Sequence, residues 1–307
     1  MASADPTAAE FVYDEFAYFH ENAQEWGLTL DAPPAVERLS VTLADGRSLS
    51  ALRWGAPAAP EIVLIHGGAQ NAHTWDTVLL ALRRPALAVD LPGHGHSGWR
   101  EDQQYDPRSL ADDVAAAVAE LAPDAALVVG MSLGGLTANA LAARHPQLVR
   151  RLLIVDVTPG TTAEKAKHIT DFVNGPQSFP SFADILARTI EHNPTRSESS
   201  LRRGIIHNAA RQADGSWKWR YDRERRRPGE RSEVDRAALW DDVAATTQPY
   251  LLARGMAKGT VVDDGDVAAL KQRRPDAVVV EVEGAGHSLQ GDTPLVLAEL
   301  IERQLTA

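Results

Sequence analysis

A chain of 307 residues with 44% hydrophobic and 24% charged residues has the composition of a folded globular protein, which excludes disorder over its whole length. Its formal net charge of −11 opposes binding to nucleic acid and to anionic membranes, so neither is an expected partner. The absence of cysteine excludes disulfides, thiolate metal sites and cysteine nucleophiles.

The first ten residues, Met1–Glu10, lack the basic start and the apolar core of a signal peptide. No apolar run approaches the ~18 residues that a membrane span requires. We therefore expect a soluble, cytoplasmic protein.

Short runs rich in Val, Ile, Leu and Ala alternate with longer helical patterns, an order typical of βαβ units and a mostly parallel sheet. The predicted strands are Val36–Thr42, Leu49–Trp54, Ile62–His66, Ala86–Asp90, Ala126–Gly130, Leu152–Val155, Tyr250–Arg254 and Val278–Val282. The predicted helices are Asn71–Leu82, Pro107–Leu121, Leu133–Ala143, Val267–Arg273 and Pro294–Gln304. The first two strands alternate in polarity around an Asp45-Gly46 turn, which is typical of an antiparallel edge. The fold class is therefore α/β.

Two segments stand outside this alternation. Residues 158–236 are polar and mainly helical by pattern, and loops of this length usually have a function such as covering a site. We predict a cap there, inserted into a core of residues 36–157 and 237–307. Residues 1–35 form an N-terminal helical extension, whose aromatic residues Phe11, Phe16 and Phe19 we interpret as anchors to the outside of the domain. An alternative stays open, in which this helix joins the cap or the interface of a homo-oligomer.

The strongest chemical signal is an apolar strand that runs into Gly130-Met131-Ser132-Leu133-Gly134 and then into a helix rich in small residues. A serine hydroxyl is a poor nucleophile until a base receives its proton, and a sharp strand-to-helix turn presents its Oγ clear of the sheet. Such a turn brings backbone segments together, which the flanking residues Gly130 and Gly134 permit. We therefore predict that Ser132 is a nucleophile.

A tetrahedral intermediate on such a serine needs two backbone N–H donors. The residue after the nucleophile, Leu133, supplies the first, and the loop after the strand that ends at His66 supplies the second. Gly68 is the predicted second donor, with Ala69 as its close competitor. We expect His66 itself to hydrogen-bond to a neighbouring loop.

A base is predicted at His287, on a loop directly after the last strand, where a histidine can reach a serine far away in sequence. Six of the other histidines lie on helical or cap patterns, and two belong to the turn Leu91–Ser97. His66 shares the placement at a strand end but precedes Ser132, so the order serine then histidine favours His287.

The third member of a triad has two candidates. The position about three residues after Gly255, where an acid is expected, holds Lys258, and Asp263 comes later, in a place typical of a helix N-cap. Asp156 follows a buried strand at the edge where sites of open α/β sheets assemble. A buried carboxylate there needs a partner such as the His287 imidazolium, so we favour Asp156, with Asp263 as the alternative acid.

Four motifs in combination resemble those of the α/β-hydrolase superfamily: His66-Gly67-Gly68, Asp90–Ser97, Gly130–Gly135 and Gly284-Ala285-Gly286-His287. The resemblance covers about residues 36–157 and 237–307. It implies an eight-stranded sheet flanked by helices, a variable cap and an acyl-enzyme mechanism. The run Asp156-Val157-Thr158-Pro159 resembles the branch that carries its acid after the sixth strand, and Lys258 is where this chain departs from the commoner pattern.

The expected activity is hydrolysis of small, fairly apolar carboxylic esters or lactones by a serine hydrolase. Hydrolysis of a carbon–carbon bond beside a ketone and thioester hydrolysis are the enzymatic alternatives, and a ligand receptor built on the same fold is the non-enzymatic one. Aromatic side chains commonly line apolar pockets, so Trp217 and Trp219 are predicted pocket residues together with Ala69 and Met131. The expected partner is a small-molecule substrate, and neither a cofactor nor a metal is expected.

Overall fold

A computed structural model describes residues 6–7, 11–223 and 235–306. Its strands are β1 (Val36–Thr42), β2 (Ser48–Trp54), β3 (Ile62–Ile65), β4 (Ala86–Val89), β5 (Leu127–Met131), β6 (Leu152–Val155), β7 (Ser178–Phe179), β8 (Ala209–Arg211), β9 (Trp217–Trp219), β10 (Tyr250–Gly255) and β11 (Val278–Val282). Eight of them form one sheet in the order β1-β2-β4-β3-β5-β6-β10-β11. Strand β2 pairs antiparallel with β1 and with β4, and the remaining pairs are parallel.

The helices are α1 (Phe19–Glu25), α2 (Asp76–Leu82), α3 (Pro107–Leu121), α4 (Leu133–Arg144), α5 (Lys167–Val173), α6 (Phe182–His192), α7 (Glu198–Asn208), α8 (Arg236–Ala245), α9 (Asp264–Arg273), α10 (Leu289–Asp292) and α11 (Pro294–Thr306). Short 3₁₀ turns cover Ala72–Trp75 and Pro146–Leu148. None of the helices in the described part of the chain is both long and apolar enough to cross a membrane.

The expected α/β architecture is confirmed, and each of the eight predicted strands lies within one residue of its predicted ends. The adjacent strands β3, β5, β6 and β10 of the central sheet are buried along their whole length, because apolar clusters cover both faces. Helices α3, α4 and α8 pack on one face, and α1, α2 and α11 pack on the other. This arrangement places the carboxyl ends of β3, β5, β6 and β10 at one edge.

The segment between β6 and α8, residues 158–235, is here called the insertion. It contains α5, α6 and α7, but it is less purely helical than the sequence pattern indicates, because β7, β9 and β8 form a small antiparallel sheet. Trp217 and Trp219 lie on the middle strand of that sheet and pack with Phe179, Phe182 and Tyr221 in an apolar cluster of the insertion.

The N-terminal segment differs from the prediction, because its helix covers only Phe19–Glu25 and the aromatic residues before it do not all face the outside of the core. The Phe19 ring contacts Trp54 of the core at 4.9 Å between centroids, whereas the Phe11 ring contacts Trp217 of the insertion at 5.5 Å. The alternative interpretation, in which this segment joins the predicted cap, therefore describes these contacts better.

A buried polar network joins the N-terminal segment, the core and the insertion. Glu15 accepts from Arg38 and from His73, and the other ring nitrogen of His73 pairs with Asp76 at 2.9 Å. The His207 ring of the insertion stacks on His73 with 3.8 Å between centroids. Burial alone would lower the pKa of His73, but the carboxylates of Asp76 and Glu15 outweigh it and raise this pKa to about 9.

Because the folded-state pKa of His73 is raised, its stabilising effect should be complete below pH ~6.5 and should disappear as the pH rises through about 9. We expect the difference in unfolding free energy between the wild type and His73→Gln to be at most about 3 kcal/mol near pH 6 and to shrink towards pH 10. Urea denaturation at several pH values measures this. A difference that does not change with pH would contradict the charged state of His73.

Candidate active site

Ser132 occupies the turn between β5 and α4 in a conformation that residues with a side chain seldom adopt, with φ of 53° and ψ of −121°. The turn is possible because the backbone around it packs at very short range. A Cβ atom at Gly130 would collide with the Gly134 carbonyl, and one at Gly134 would collide with the carbonyl oxygens of Ile65 and His66. The turn therefore depends on glycine at both positions.

Asp156 follows β6 and is completely buried, and its carboxylate accepts hydrogen bonds on both oxygens. Oδ1 accepts from the Gly255 amide at 3.0 Å and from the Thr260 hydroxyl at 2.6 Å. Oδ2 accepts from the Val261 amide at 3.1 Å and lies 3.0 Å from His287 Nδ1. Four hydrogen-bonding groups thus converge on one buried side chain and fix its orientation.

The Asp156–His287 pair leaves one ring nitrogen of His287 available. His287 Nε2 is buried and has no hydrogen-bond partner among the described residues. Met131 and Val155 are register partners on β5 and β6, so Ser132 and Asp156 follow adjacent strands at the same sheet edge. The structure thus brings the three predicted residues Ser132, Asp156 and His287 to one edge.

The loop after β3 lies against the turn of Ser132, since a Cβ at Gly67 would be 3.1 Å from the Ser132 Cβ. The Gly67 amide donates to the Gln70 side chain at 3.0 Å, and the Ala69 amide donates to His94 Nε2 at 3.0 Å. Of these three consecutive amides, only that of Gly68 has no acceptor among the described residues. This difference favours Gly68 over Ala69 as a donor to a bound oxyanion.

Two buried histidines hold this loop rather than carry a charge. His66 Nδ1 donates to the Gly67 carbonyl at 2.7 Å, and its Nε2 accepts from the Leu91 amide at 2.9 Å, which is the neighbouring-loop contact expected from the sequence. Burial lowers the pKa of His66 to about 3 and also lowers the pKa of His94. Both rings are therefore neutral at pH 7 and serve as fixed hydrogen-bonding groups.

The alternative acid, Asp263, has a different environment. Its side chain accepts from the Asp266 amide in a capping box at the start of α9, and it pairs with Lys165 at 2.7 Å. Hydrogen bonds from Lys165 and from the Asp266 amide lower the pKa of Asp263 to about 2. This is the N-cap role that the sequence also suggested, and it leaves Asp156 as the carboxylate beside His287.

The predicted pocket residues lie in two different places. Met131 precedes Ser132, with its Sδ atom next to Gly67, and Ala69 belongs to the loop after β3. Trp217 and Trp219 are only 2% and 5% exposed, because the aromatic cluster of the insertion encloses them. Their role in a pocket stays a prediction, and an effect on substrate would have to pass through the packing of the insertion.

One group of side chains in the described part of the chain offers ligand atoms of a metal-binding kind. Atoms of His73, Asp76 and His207 lie within 4.8 Å of one another. The imidazole rings of His73 and His207 stack with an interplanar angle of 12°. The lone pairs of their nitrogens therefore lie in two nearly parallel planes and do not converge on one point. Both nitrogens of His73 also pair with carboxylates. The group therefore fits an ion-pair network better than a metal centre.

Sequence reasoning missed two residues that support the site. Thr260 donates to Asp156, and Asp292 accepts from the Gly286 amide at 3.0 Å, which fixes the residue before His287. The loop after β10 thus supplies a hydroxyl and an amide to the carboxylate that follows β6. No local pattern marks either residue, because the contact of Thr260 joins segments distant in sequence and that of Asp292 depends on how the loop before α10 folds back.

Comparisons with known proteins agree with the fold described above. A family model described as the alpha/beta hydrolase fold matches residues 60–294. The esterase Rv0045c of Mycobacterium tuberculosis is 47% identical over 297 residues, which cover 94% of this chain and 94% of the esterase. The 2-(acetamidomethylene)succinate hydrolase of Mesorhizobium japonicum is 27% identical, with 81% of this chain and 89% of that protein covered.

Solved structures show the same likeness. A structure of the M. tuberculosis esterase Rv0045c, from work on its transition metal inhibition, superposes with a TM-score of 0.83 at 46% identity and covers 96% of this chain and 99% of that chain. A structure of E-2-(acetamidomethylene)succinate hydrolase gives a TM-score of 0.75 at 24% identity, covering 89% of this chain and 100% of that chain. The second likeness concerns the fold alone.

The packing around Ser132 predicts opposite effects for two glycine-to-alanine substitutions. Gly130→Ala should lower the free energy of unfolding by roughly 1–3 kcal/mol or prevent folding, because the new Cβ meets backbone that cannot move aside. Gly204→Ala, at an exposed position of α7 with open space around it, should be neutral or stabilising by up to ~1 kcal/mol. Urea denaturation compares them, and equal effects would contradict the tight turn.

Proposed function

This chain belongs to the α/β-hydrolase fold family, and we propose that it is a serine esterase in which Ser132, His287 and Asp156 form the catalytic triad. The observation that carries the proposal is the buried pair of His287 and Asp156, joined at 3.0 Å, with His287 Nε2 left without a partner at the sheet edge that also carries the strained turn of Ser132. The kinship with the M. tuberculosis esterase supports the same reaction class.

In the proposed acylation step, His287 Nε2 takes the proton of the Ser132 hydroxyl while Oγ attacks the ester carbonyl. The C–O bond to the alcohol then breaks, and the alcohol leaves with the proton that His287 holds. Water, deprotonated by His287, cleaves the resulting acyl-enzyme and restores Ser132. Every proton in this cycle passes through one ring nitrogen, so the tautomer of His287 decides the rate.

Asp156 fixes that tautomer. Its Oδ2 accepts from His287 Nδ1, which keeps Nε2 free to accept the serine proton, and the carboxylate then stabilises the imidazolium. The other three donors to Asp156 keep its side chain oriented and leave Oδ2 able to accept from His287. We assign the acid to Asp156 because Asp263 is used in capping α9.

The developing oxyanion would receive two backbone N–H groups, from Leu133 at the start of α4 and from Gly68. The Gly67 carbonyl, on the same peptide unit as the Gly68 amide, accepts from His66 Nδ1. That hydrogen bond holds the peptide with its N–H pointing away from His66. Donors placed before the reaction need no reorganisation, and removing one typically costs ~10²–10³ in kcat.

The proposed substrates are small, fairly apolar carboxylic esters or lactones. The insertion acts as a cap in this proposal, because its apolar cluster extends to Ala69 in the loop after β3. The N-terminal segment holds the cap through Phe11 and Tyr13, which contact Trp217 and His207. A cap closed in this way excludes water and favours apolar acyl groups over charged ones.

The central test is Ser132→Ala, assayed with p-nitrophenyl acetate and with a fluorescent organophosphonate. We expect kcat to fall by ~10⁴–10⁶ and covalent labelling to disappear, because the attacking oxygen is lost. Ser288→Ala, beside His287 but outside the proposed triad, serves as the matched control and should keep its labelling. Persistent labelling of Ser132→Ala would assign the nucleophile elsewhere, and a wild type without ester turnover would refute the esterase proposal.

Asp156→Asn and Asp263→Asn separate the two candidate acids. Asp156→Asn should lower kcat by about 10⁴, because an amide cannot stabilise the imidazolium and can hold the wrong tautomer. Asp263→Asn should change kcat by less than a few-fold and should lower the thermal midpoint slightly, because an Asn side chain still caps α9. Steady-state kinetics with folding checked by circular dichroism decides the matter, and the reverse pattern would move the acid to Asp263.

A further inference from the structure

We propose that Asn208, at the end of α7 in the insertion, is a positioning residue that holds the oxyanion loop, here defined as His66–Asn71, in its reactive shape. Its side-chain Nδ2 donates to the Ala69 carbonyl at 2.6 Å, across 139 residues of sequence. The catalytic consequence rests on the proposed function, whereas the structural one does not.

Ala69 is the strained point of this loop. Its φ of 59° lies in the left-handed region, where a residue with a Cβ is disfavoured unless its surroundings fix it. Two outside groups do so: His94 Nε2 accepts from the Ala69 amide at 3.0 Å, and Asn208 donates to the Ala69 carbonyl. His94 belongs to the core, so the insertion supplies one of the two restraints.

Asn208 is in turn held on its other side. Asn71 Nδ2 donates to Asn208 Oδ1 at 3.2 Å, and Asn71 Oδ1 accepts from the His73 amide at the start of the 3₁₀ turn. The Asn208 side chain therefore bridges two positions of the oxyanion loop, Ala69 and Asn71, with its two different ends. Such a bridge needs both an acceptor and a donor at a fixed separation, which an amide of this length provides.

The end of α7 is itself docked firmly, so the position of Asn208 is defined. The preceding residue, His207, is buried between the ring of His73 and the hydroxyl of Tyr13, at 3.8 Å between ring centroids and 2.9 Å respectively. The Asn208 carbonyl accepts from the Arg220 amide at 2.8 Å. A side chain fixed in this way can restrain the loop without a large entropic cost of its own.

Gly67 and Gly68 explain why the loop needs such restraints. Glycine populates both signs of φ readily, so two consecutive glycines do not define the direction of the Gly68 N–H by themselves. The hydrogen bond from His66 Nδ1 to the Gly67 carbonyl holds the peptide unit before Gly68, and the peptide unit after Gly68 has to be held as well, which occurs through Ala69. Without Asn208 the strain at Ala69 would be relieved by a change of φ, which would turn the Gly68 amide away from the oxyanion.

Asn208→Ala and Asn208→Asp test the catalytic consequence. We expect kcat for p-nitrophenyl acetate to fall about 10–100-fold with KM changed by less than about threefold, because the loop contacts the transition state and not the ground state. Asn208→Asp should be the more impaired, since a carboxylate oxygen would face the Ala69 carbonyl. The inhibition constant of a boronate that mimics the tetrahedral state should rise by the same factor as kcat falls.

The matched control is Asn193→Ala, which removes a similar hydrogen bond of the insertion, from Asn193 Nδ2 to the Thr189 carbonyl at 2.9 Å. It should leave kcat and the boronate affinity unchanged. If Asn193→Ala and Asn208→Ala lowered kcat equally, in step with their thermal midpoints, the effect would be general destabilisation and the proposal would be wrong. An unchanged kcat in a folded Asn208→Ala would overturn it as well.

Amide hydrogen exchange tests the structural part without any turnover. In Asn208→Ala, peptides covering residues 66–71 should exchange at least about tenfold faster than in the wild type, while Asn193→Ala leaves them unchanged. Faster exchange in Asn208→Ala, together with a wild type that hydrolyses no ester, would separate a failed esterase assignment from a valid restraint on the loop. Unchanged exchange at residues 66–71 would refute the restraint itself.

Discussion

A carboxylate withdrawn completely from water has to be satisfied by the protein around it, and at Asp156 this requirement organises the whole site. Its donors come from the end of β10, from the loop that follows and from the loop after β11. An ionised carboxyl group in an apolar interior costs several kcal/mol unless such donors converge on it. Their convergence therefore holds His287, which lies on a loop, in a defined position.

The same carboxylate explains why Lys258 is tolerated in a loop where an acid is commonly expected. With the proposed acid directly after β6, the loop after β10 does not have to supply a negative charge, and Thr260 and Val261 supply donors instead. The loop after β10 thus contributes hydrogen-bond donors at the place where an acid would otherwise contribute an acceptor. The loops after β10 and β11 can approach this closely because Gly255 and Gly286 carry no side chain. The carboxylate that contacts the His287 imidazole therefore comes from the end of β6, the strand beside β10, at the same edge of the sheet.

The core could be predicted from the sequence because its signals are local. A run such as Leu152–Val155 is apolar throughout because both of its faces are covered, and Gly130 and Gly134 mark the turn because any Cβ there collides with backbone.

The remaining parts of the site and of the N-terminal segment depend on contacts between distant residues. Nothing near Thr260 shows that its hydroxyl meets Asp156, and nothing near Phe11 shows that its ring meets Trp217. An aromatic pattern indicates burial without identifying the partner, which is why the sequence alone predicts an N-terminal segment anchored to the outside of the domain.

The division of this chain into a core that carries the proposed chemistry and a separate insertion is therefore incomplete. The oxyanion loop contains two glycines and a strained alanine, so its shape comes from its neighbours, and these include the insertion as well as the core. The insertion is in turn fixed by the N-terminal segment through Tyr13 and Glu15, which hold His207 and His73 together. A change in any of these three segments acts on the loop through a short series of hydrogen bonds. In the proposed mechanism specificity and rate are coupled physically, because the segment proposed to enclose the substrate also holds the loop that carries the proposed oxyanion donor.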